Sequence, residues 1–130
     1  MFKTFDIPNH TTAKGSLAAV EFRDLVPFEV KRVYWAYDNL LDRGGHCHIS
    51  EKEFFVLVHG TMTMKIHDGL SEKLIQMTPH KQGYYVAEKV WHEFIEFSKD
   101  SVLLCFSSTN YNPDRSDYIE DFDNFLEYVS

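Results

Sequence analysis

The stretch RGGHCHISEKEFFVLVHG, residues 43–60, decides how the rest of the chain is interpreted. His46 and His48 are two residues apart, so on a β-strand both side chains point to one face and Cys47 points to the other. The apolar run that follows is bounded by Gly60 and is a further strand candidate. The stretch therefore predicts strands, the first of which brings two imidazole rings to one side of a pocket.

The remaining sequence is also typical of strands. Residues 29–37 alternate, with Val30, Arg32, Tyr34 and Ala36 on one face and Lys31, Val33, Trp35 and Tyr37 on the other. TMTMKIHDG alternates and ends in Asp-Gly, a strong hairpin signal. Further short apolar segments follow at close intervals: KLIQMT, GYYVA, HEFIEF and SVLLCFSS. Many short strands separated by turns predict an all-β antiparallel sandwich or barrel.

The C-terminal segment DYIEDFDNFLEYV, residues 117–129, has a different period. Its apolar residues recur at helical spacing and form one stripe: Tyr118, Ile119, Phe122, Phe125, Leu126 and Val129. Asp117 and Glu120 have the spacing of a capping box at the start of a helix. We therefore expect a short C-terminal helix that packs on the sheets as a structural element.

Length and composition narrow the function classes. The chain has 130 residues, which predicts one domain over 1–130, and no run approaches the roughly 20 apolar residues of a membrane helix. The start lacks the pattern of a signal peptide, and two cysteines are too few for a disulfide framework, so a cytoplasmic setting is expected. The net charge of −7 argues against nucleic acid as a partner.

The spacing of the histidine stretch resembles the first cupin motif. Four residues separate His48 from Glu53, six more precede Gly60, and a lone histidine, His92, follows later. The resemblance is partial, because Leu40 stands where cupins usually have glycine. It implies a double-sheet jelly-roll barrel with ligands held inside.

Three interpretations of these side chains remain open at this point. The histidines can be structural. Together with Glu53 and His92, the pair His46 and His48 can form a site for a divalent first-row metal. The third interpretation is metal-free proton transfer, because an imidazole titrates close to neutral pH.

A closer resemblance covers nearly the whole chain. RVYWAYDNLLDRGGHCH, residues 32–48, is similar to the signature of the nucleotide-sugar 3,4-ketoisomerases, a metal-free cupin family. The similarity extends to KGSLAAVEF, VHGTMTMKIHDG, VWHEF and SDYIEDFDNFLEYV. Cys47 stands where alanine is usual, and we expect it to be packed because it points away from the histidine face. The family often carries glutamine at the position of Glu53, which weakens the metal interpretation.

The resemblance implies an enzyme that moves the carbonyl of dTDP-4-oxo-6-deoxy-D-glucose from C4 to C3 through an enediolate, without cofactor or metal. His46 is the expected base, and His48 is expected to relay the proton or to hold the tautomer of His46. Arg43 and Tyr37 are the expected donors to the enediolate oxygens. A metal-dependent cupin enzyme and a sugar-binding cupin without catalytic activity are the alternatives.

The remaining expected contacts concern binding. Arg32, Trp91, His92 and Glu53 are expected to bind the substrate, with Trp91 and His92 at the sugar end. The family resemblance implies a homodimer with exchanged N-terminal strands, in which SLAAVEF crosses over and Lys14 reaches the neighbouring pocket. Lys14 and His92 favour the 3-oxo-6-deoxy-galacto product over its gluco epimer. The expected pathway is the synthesis of a deoxy-amino sugar for a surface glycan such as the O-antigen of lipopolysaccharide.

Overall fold

The computed structural model describes residues 1–130 and consists mostly of β-strands. The twelve strands are β1 (Phe2–Asp6), β2 (Asn9–Thr12), β3 (Gly15–Ala18), β4 (Arg32–Ala36), β5 (Arg43–His48), β6 (Glu53–His59), β7 (Thr63–His67), β8 (Glu72–Gln76), β9 (Gln82–Val86), β10 (Trp91–Ile95), β11 (Val102–Ser107) and β12 (Tyr118–Ile119). The two helices are α1 (Phe22–Leu25) and α2 (Phe122–Val129). Two five-stranded sheets have the orders β1-β9-β6-β11-β4 and β12-β5-β10-β7-β8, and β2 pairs with β3 separately. The predicted all-β, double-sheet fold with a short C-terminal helix is confirmed.

Strand β6 shows why part of the sequence is continuously apolar. Phe55 and Leu57 face the main core, which contains residues of both sheets, and the Phe55 ring lies 4.9 Å from that of Phe94 on β10. Phe54 and Val56 point the other way, into a second cluster. Because both faces of β6 are covered, the strand has an unbroken apolar run instead of an alternating pattern.

Strands β5 and β10 lie side by side and set the positions of two histidines. His46 is opposite His92, and the register shifts between His92 and Glu93. Gly44 has φ +78°, and a Cβ at this position would lie 2.7 Å from the carbonyl oxygen of His92. Only glycine tolerates both this backbone conformation and this close approach. Gly44 therefore lets β5 approach β10 closely enough to bring the two imidazoles together.

The predicted hairpin at Asp68-Gly69 is confirmed. β7 pairs with β8, and the connecting turn contains Gly69 with φ +100°. The Asp68 carboxylate accepts hydrogen bonds from the backbone N–H groups of Leu70 at 2.8 Å and Ser71 at 2.9 Å. Aspartate is common in such turns because its side chain accepts hydrogen bonds from the backbone N–H groups that follow it.

The C-terminal helix begins later than the sequence predicts. Its N-cap is Asp121, whose side chain accepts from the Asn124 backbone N–H at 2.9 Å. The capping box assigned to Asp117 is therefore wrong. The residues before the helix form β12, and their backbone groups pair with those of β5 instead of starting a helix. Phe125 is fully buried against Trp91 and Cys47, which confirms that the helix packs on the sheet.

The N-terminal region contains one strand that belongs to the sheets and one hairpin that does not. β1 pairs with β9 of the same chain. The hairpin β2–β3 is largely exposed and its strands pair only with each other. Residues 22–25 form the short helix α1. Neither helix has the length and apolar character needed to cross a lipid bilayer.

Candidate active site

Three histidine side chains meet at one end of the space between the sheets. His46 and His48 come from β5, and His92 comes from β10. The ring of His46 lies 4.8 Å from that of His48 and 4.8 Å from that of His92. The rings of His48 and His92 are 5.7 Å apart. The period of the strand and the pairing of β5 with β10 thus produce the cluster that the sequence pattern predicts.

Glu53 lies next to the histidines and is fully buried. Its Oε1 is 3.1 Å from Nε2 of His48 and 3.3 Å from Nε2 of His92. Its Oε2 accepts a hydrogen bond of 2.5 Å from the Tyr34 hydroxyl and one of 3.2 Å from the Cys105 thiol. Burial alone would raise the pKa of Glu53, but the contacts with His48 and His92 outweigh it and hold the pKa well below its usual range. Glu53 is therefore a buried carboxylate at neutral pH.

His48 is surrounded by carboxylates. Its Nδ1 is 3.2 Å from Oδ2 of Asp117, and its Nε2 is 3.7 Å from Glu51 in addition to the Glu53 contact. Burial lowers the pKa of His48, but Glu53, Glu51 and Asp117 raise it by more, so the pKa is higher than usual. His48 thus holds a proton more strongly than a free imidazole does.

His46 has the opposite electrostatics on the same strand. Its pKa falls to about 3, first because of burial and then because of the neighbouring His92 and His48. His46 is also only partly buried, whereas His48 and His92 are almost completely buried. It is therefore a neutral imidazole, and it is the histidine that faces the open pocket.

The pocket in front of His46 has a volume of about 320 Å³ and a locally basic lining. Its lining comprises arginines, tyrosines, a glycine and the histidine: Arg32, Tyr34, Arg43, Gly44, His46, Tyr111, Arg115 and Tyr118. Arg32 pairs with Glu51 at 3.2 Å, and Arg115 pairs with Glu120 at 2.6 Å. Arg43 is exposed and has no ion-pair partner in the chain. In a protein of net charge −7, this lining is suited to an anionic ligand.

Several residues of the site were missed by sequence reasoning. Tyr118 lies 4.8 Å from the ring of His46 and 4.5 Å from that of His48, and the Arg115 guanidinium lies 3.9 Å above Tyr118. Tyr118 and Arg115 both precede helix α2, in a segment whose sequence does not indicate that it contributes to the site. Tyr34 could have been found, because it alternates with Arg32 on the predicted strand. Burial and Glu53 raise the pKa of Tyr34 well above its usual value, so its phenol stays protonated.

Two predicted site residues need correction. Tyr37 follows β4 directly, is 63% exposed, and lies on the face opposite Tyr34. Trp91 is buried, but it is adjacent to His92 on a strand and so points the other way, where it contacts Phe125 of the helix. The structure does not bring either of these two side chains to the three histidines.

The other predicted residues divide into those near the site and those away from it. Arg32, Arg43, Glu53 and His92 lie at the site, as described above. Lys14 is exposed in the turn of the β2–β3 hairpin and contacts no site residue of its own chain. Cys47 packs with Trp91 and Phe125, as expected, and burial raises the pKa of its thiol to about 11.

The same side chains are also suited to a metal ion. One donor atom each from His46, His48, Glu53 and His92 lies within 4.8 Å of the others. Glu53 Oε1 and His48 Nε2 are both buried without a hydrogen-bond partner, although they lie 3.1 Å apart. Three imidazoles and a carboxylate fit a divalent first-row metal such as zinc, iron or nickel. The donor set therefore fits such an ion.

Comparisons with known proteins agree with one another. The sequence matches the family described as FdtA: WxcM-like, C-terminal, over residues 1–130. The TDP-4-oxo-6-deoxy-alpha-D-glucose-3,4-oxoisomerase of Aneurinibacillus thermoaerophilus is 35% identical over 120 residues, which cover 91% of this chain and 85% of that protein.

Two solved structures are similar over almost the whole chain. A 3,4-ketoisomerase from Helicobacter canadensis has a TM-score of 0.91 at 31% identity, covering 98% of this chain and 96% of that one. The TDP-quinovose 3,4-ketoisomerase of Campylobacter jejuni has a TM-score of 0.89 at 30% identity, covering 97% of both chains.

Proposed function

This chain belongs to the FdtA family of WxcM-like C-terminal domains, and on that premise we propose that residues 1–130 form one catalytic domain, a dTDP-4-oxo-6-deoxy-D-glucose 3,4-ketoisomerase. The enzyme moves the carbonyl of the sugar from C4 to C3. The observation that carries the proposal is the imidazole of His46, which faces an arginine-lined pocket and lies 4.8 Å from the ring of His48 in the three-histidine cluster.

The first step is removal of the proton at C3. His46 is the proposed base because it is unprotonated and open to the pocket. Its low pKa makes it a weak base in the free enzyme. The negative charge of the nucleotide diphosphate raises that pKa when the substrate binds, and this brings it closer to the range in which general bases work best.

The intermediate is an enediolate, whose negative charge needs preorganised donors. Arg43, the arginine without an ion-pair partner, and the phenol of Tyr118 lie next to His46 and are proposed to serve the two sugar oxygens. Burial, followed by Glu51 and Glu53, raises the pKa of Tyr118, so this phenol remains a donor. His48 lies behind them, and because its pKa is raised, its protonated form is available to favour the anion as well.

The second step delivers a proton to C4, while the proton of the C3 hydroxyl passes to the C4 oxygen through the enediolate. Protonated His46 is the proposed donor of this proton. The ring of His48 contacts that of His46 and lowers its pKa, which favours release of the proton from His46. Delivery to one face of the enediolate gives the galacto product, and delivery to the other gives the gluco product. We propose the 3-oxo-6-deoxy-galacto product, destined for a deoxy-amino sugar of a surface glycan.

Assembly is part of the proposal. The hairpin β2–β3 is exposed, and Leu17 at its surface is 62% exposed. The edge strand β4 also presents apolar side chains to solvent, at Val33, Trp35 and Tyr37. Exposed edges and apolar patches favour association with a second copy. We infer a homodimer in which the hairpin of one chain brings Lys14 to the pocket of its partner.

The experiment is incubation of the purified protein with dTDP-4-oxo-6-deoxy-D-glucose in deuterated water, followed by proton NMR. The expected result is loss of the C3 proton signal, appearance of a 3-oxo product, and deuterium at C4. The C4 coupling pattern identifies the epimer. Binding without exchange or product would overturn the enzyme proposal in favour of a sugar-binding protein.

A metal-dependent enzyme is the second candidate, because the four donors around Glu53 fit a divalent ion. Metal analysis of the purified protein, with turnover measured before and after chelation, separates the two. Under the main proposal, turnover is unchanged by the chelator and survives in Glu53→Gln better than in His46→Asn. A stoichiometric transition metal whose removal abolishes turnover and whose return restores it would favour the second candidate.

A further inference from the structure

We propose that Arg115 binds the β-phosphate of the nucleotide sugar, which is the phosphate that carries the sugar. The inference rests on the proposed function for its effect on turnover, but its effect on nucleotide binding can be measured without turnover. Arg115 lies in the loop between β11 and β12 and lines the pocket in front of His46.

The Arg115 guanidinium is placed by its contact with Tyr118. Its central carbon lies 3.9 Å from the centre of the Tyr118 ring, and the same ring lies 4.8 Å from that of His46. A guanidinium over an aromatic face is held there by a favourable electrostatic contact. One aromatic ring therefore separates Arg115 from the proposed base, and an anion at Arg115 is close to a sugar whose C3 lies at His46.

The backbone of the loop also fixes Arg115. Its φ is +57°, in the left-handed region that residues with a side chain rarely adopt. The Arg115 N–H donates to the Asn112 carbonyl at 3.1 Å, and the Arg115 carbonyl accepts from the Tyr118 N–H at 3.0 Å. Such backbone conformations persist where the surroundings impose them, and they are frequent in ligand-binding sites. The loop thus holds the guanidinium in position without a ligand.

The ion pair of Arg115 with Glu120 leaves the guanidinium available. It joins one nitrogen, Nη2, to one carboxylate oxygen at 2.6 Å, so most of the N–H donors of the arginine are not used by it. The two side chains are 39% and 53% exposed, and an exposed pair of this kind contributes little free energy. A ligand phosphate can therefore take the remaining donors of Arg115.

The other two arginines of the pocket are placed differently. Nη2 of Arg32 contacts both carboxylate oxygens of the buried Glu51, at 3.2 and 3.3 Å, and donates to the Ser107 hydroxyl at 3.3 Å. Arg43 is proposed above to serve the enediolate. Arg115 is thus the arginine of this pocket whose partner is at the surface, at the place where the substituent on C1 of the sugar leaves the site.

The chemistry of the guanidinium fits a phosphate. Its planar fork donates two parallel hydrogen bonds to two oxygens of one phosphate, and these are charge-assisted. C1 of the sugar carries the β-phosphate, whereas the α-phosphate lies one bridging oxygen farther from the sugar. In a chain of net charge −7, such a diphosphate depends on local cations. A cation close to His46 is therefore assigned to the β-phosphate.

The experiment measures binding of dTDP and dTMP by isothermal titration calorimetry, because dTMP lacks the β-phosphate. Arg115→Met keeps most of the length of the side chain and meets the same backbone conformation, but it removes the charge. Arg23→Met is the matched control: it changes the net charge equally, and Arg23 is exposed and pairs with its neighbour Asp24.

For the wild type we expect dTDP to bind at least about 10-fold more tightly than dTMP. In Arg115→Met the affinity for dTDP should fall about 10-fold or more, while the affinity for dTMP changes less than about 3-fold. Arg115→Lys should recover part of the loss, and Arg23→Met should equal the wild type. With the sugar nucleotide as substrate, Arg115→Met should raise KM about 10-fold and change kcat less than about 3-fold.

Glu120→Gln separates binding from a structural role of the ion pair. We expect it to bind dTDP at least as tightly as the wild type, because Arg115 keeps its charge. If Glu120→Gln weakens dTDP binding as much as Arg115→Met does, Arg115 acts only as a tie to the residues before α2, and the inference is overturned.

Equal losses of dTDP and dTMP affinity in Arg115→Met would also overturn the inference, as would a wild-type protein that does not prefer dTDP. If Arg115→Met fails to fold, Arg115→Lys decides, because its weaker fork should still lower the preference for dTDP over dTMP. A wild-type protein without isomerase activity, but with a dTDP preference that depends on Arg115, would overturn the proposed function and support the phosphate site.

Discussion

At the scale of single residues, three identical side chains have acquired different properties from their neighbours. His48 has carboxylates at both ring nitrogens, and its pKa is raised. His46 is partly buried and has two imidazoles as neighbours, and burial first and these neighbours second lower its pKa to about 3. His92 donates from Nδ1 to the Val90 carbonyl at 3.2 Å and presents Nε2 to Glu53. The opposite pKa shifts of His46 and His48 make the pair suited to proton transfer.

The first prediction concerns the base. His46→Asn keeps the polarity and approximate size of the side chain but removes the nitrogen that accepts the C3 proton. We expect turnover to fall at least about 100-fold with folding intact, as measured by product NMR and by circular dichroism.

Two further variants accompany that measurement. His59→Asn is the matched control, because His59 is exposed and pairs only with Asp100; its turnover should equal that of the wild type. His48→Asn should also lose activity, because the cation beside His46 is gone. Near wild-type turnover in His46→Asn together with an inactive His48→Asn would assign the base to His48.

At the scale of secondary-structure elements, the C-terminal segment has two functions. Strand β12 carries Tyr118 to the histidines and places the preceding residue, Asp117, beside His48, and α2 covers the outer face of the same sheet. The fully buried Phe125 lies 5.5 Å from the ring of Trp91, and Cys47 belongs to the same cluster. Because Cys47 and Trp91 are direct neighbours of the site histidines on β5 and β10, the helix supports the strands that hold the site.

The second prediction concerns this support. Phe125→Ala removes a fully buried aromatic ring and leaves a cavity under β5 and β10, so we expect the free energy of unfolding to fall by about 3–5 kcal/mol. Tyr128→Ala on the same helix is the control, because Tyr128 is 40% exposed; its cost should be about 1 kcal/mol or less. Urea unfolding followed by tryptophan fluorescence measures both. Equal costs for the two variants would show that the helix is not anchored through Phe125.

At the scale of the whole molecule, the two sheets form the core and the hairpin β2–β3 stands apart from it. β1 pairs with β9, so the first residues are part of the core and cannot be removed without damage. The hairpin can be removed alone, because the Ala19 N–H donates to the Pro8 carbonyl at 3.2 Å and the two ends of the hairpin are adjacent. This geometry allows the proposed assembly to be tested without disturbing the sheets.

The third prediction concerns the homodimer. Replacing residues 9–18 by a short glycine-serine linker should give a folded monomer with little or no turnover, because the hairpin is proposed to complete the partner's pocket. Lys14→Ala should remain a dimer and lose turnover by about 10-fold or more. Sedimentation equilibrium at micromolar concentration measures the assembly. A hairpin-deleted monomer with full turnover would rule out the shared site.

Much of this protein was determined by local sequence. The period-two segments gave the strands, the His-x-His spacing put His46 and His48 on one face with Cys47 on the other, and Asp68-Gly69 gave the hairpin. These features depend on the backbone geometry of a few consecutive residues, which is the same in every protein. For that reason the double-sheet fold and the histidine pair could be predicted without coordinates.

Only the tertiary structure decided the features that depend on distant neighbours. Alternation grouped Tyr34 with Arg32 and Tyr37 with Trp35, but both faces of β4 are aromatic, so the sequence could not say which face meets the histidines. Asp117 has the local sequence pattern of a helix cap. In the structure it is instead a partner of His48, because β12 pairs with a strand about 70 residues earlier. The pKa values of His46 and His48 are also shifted in opposite directions, by burial for His46 and by neighbouring carboxylates for His48. Pairing between strands that are distant in sequence brings these side chains together. Electrostatic interactions in a buried site depend on distance in space and not on separation along the chain.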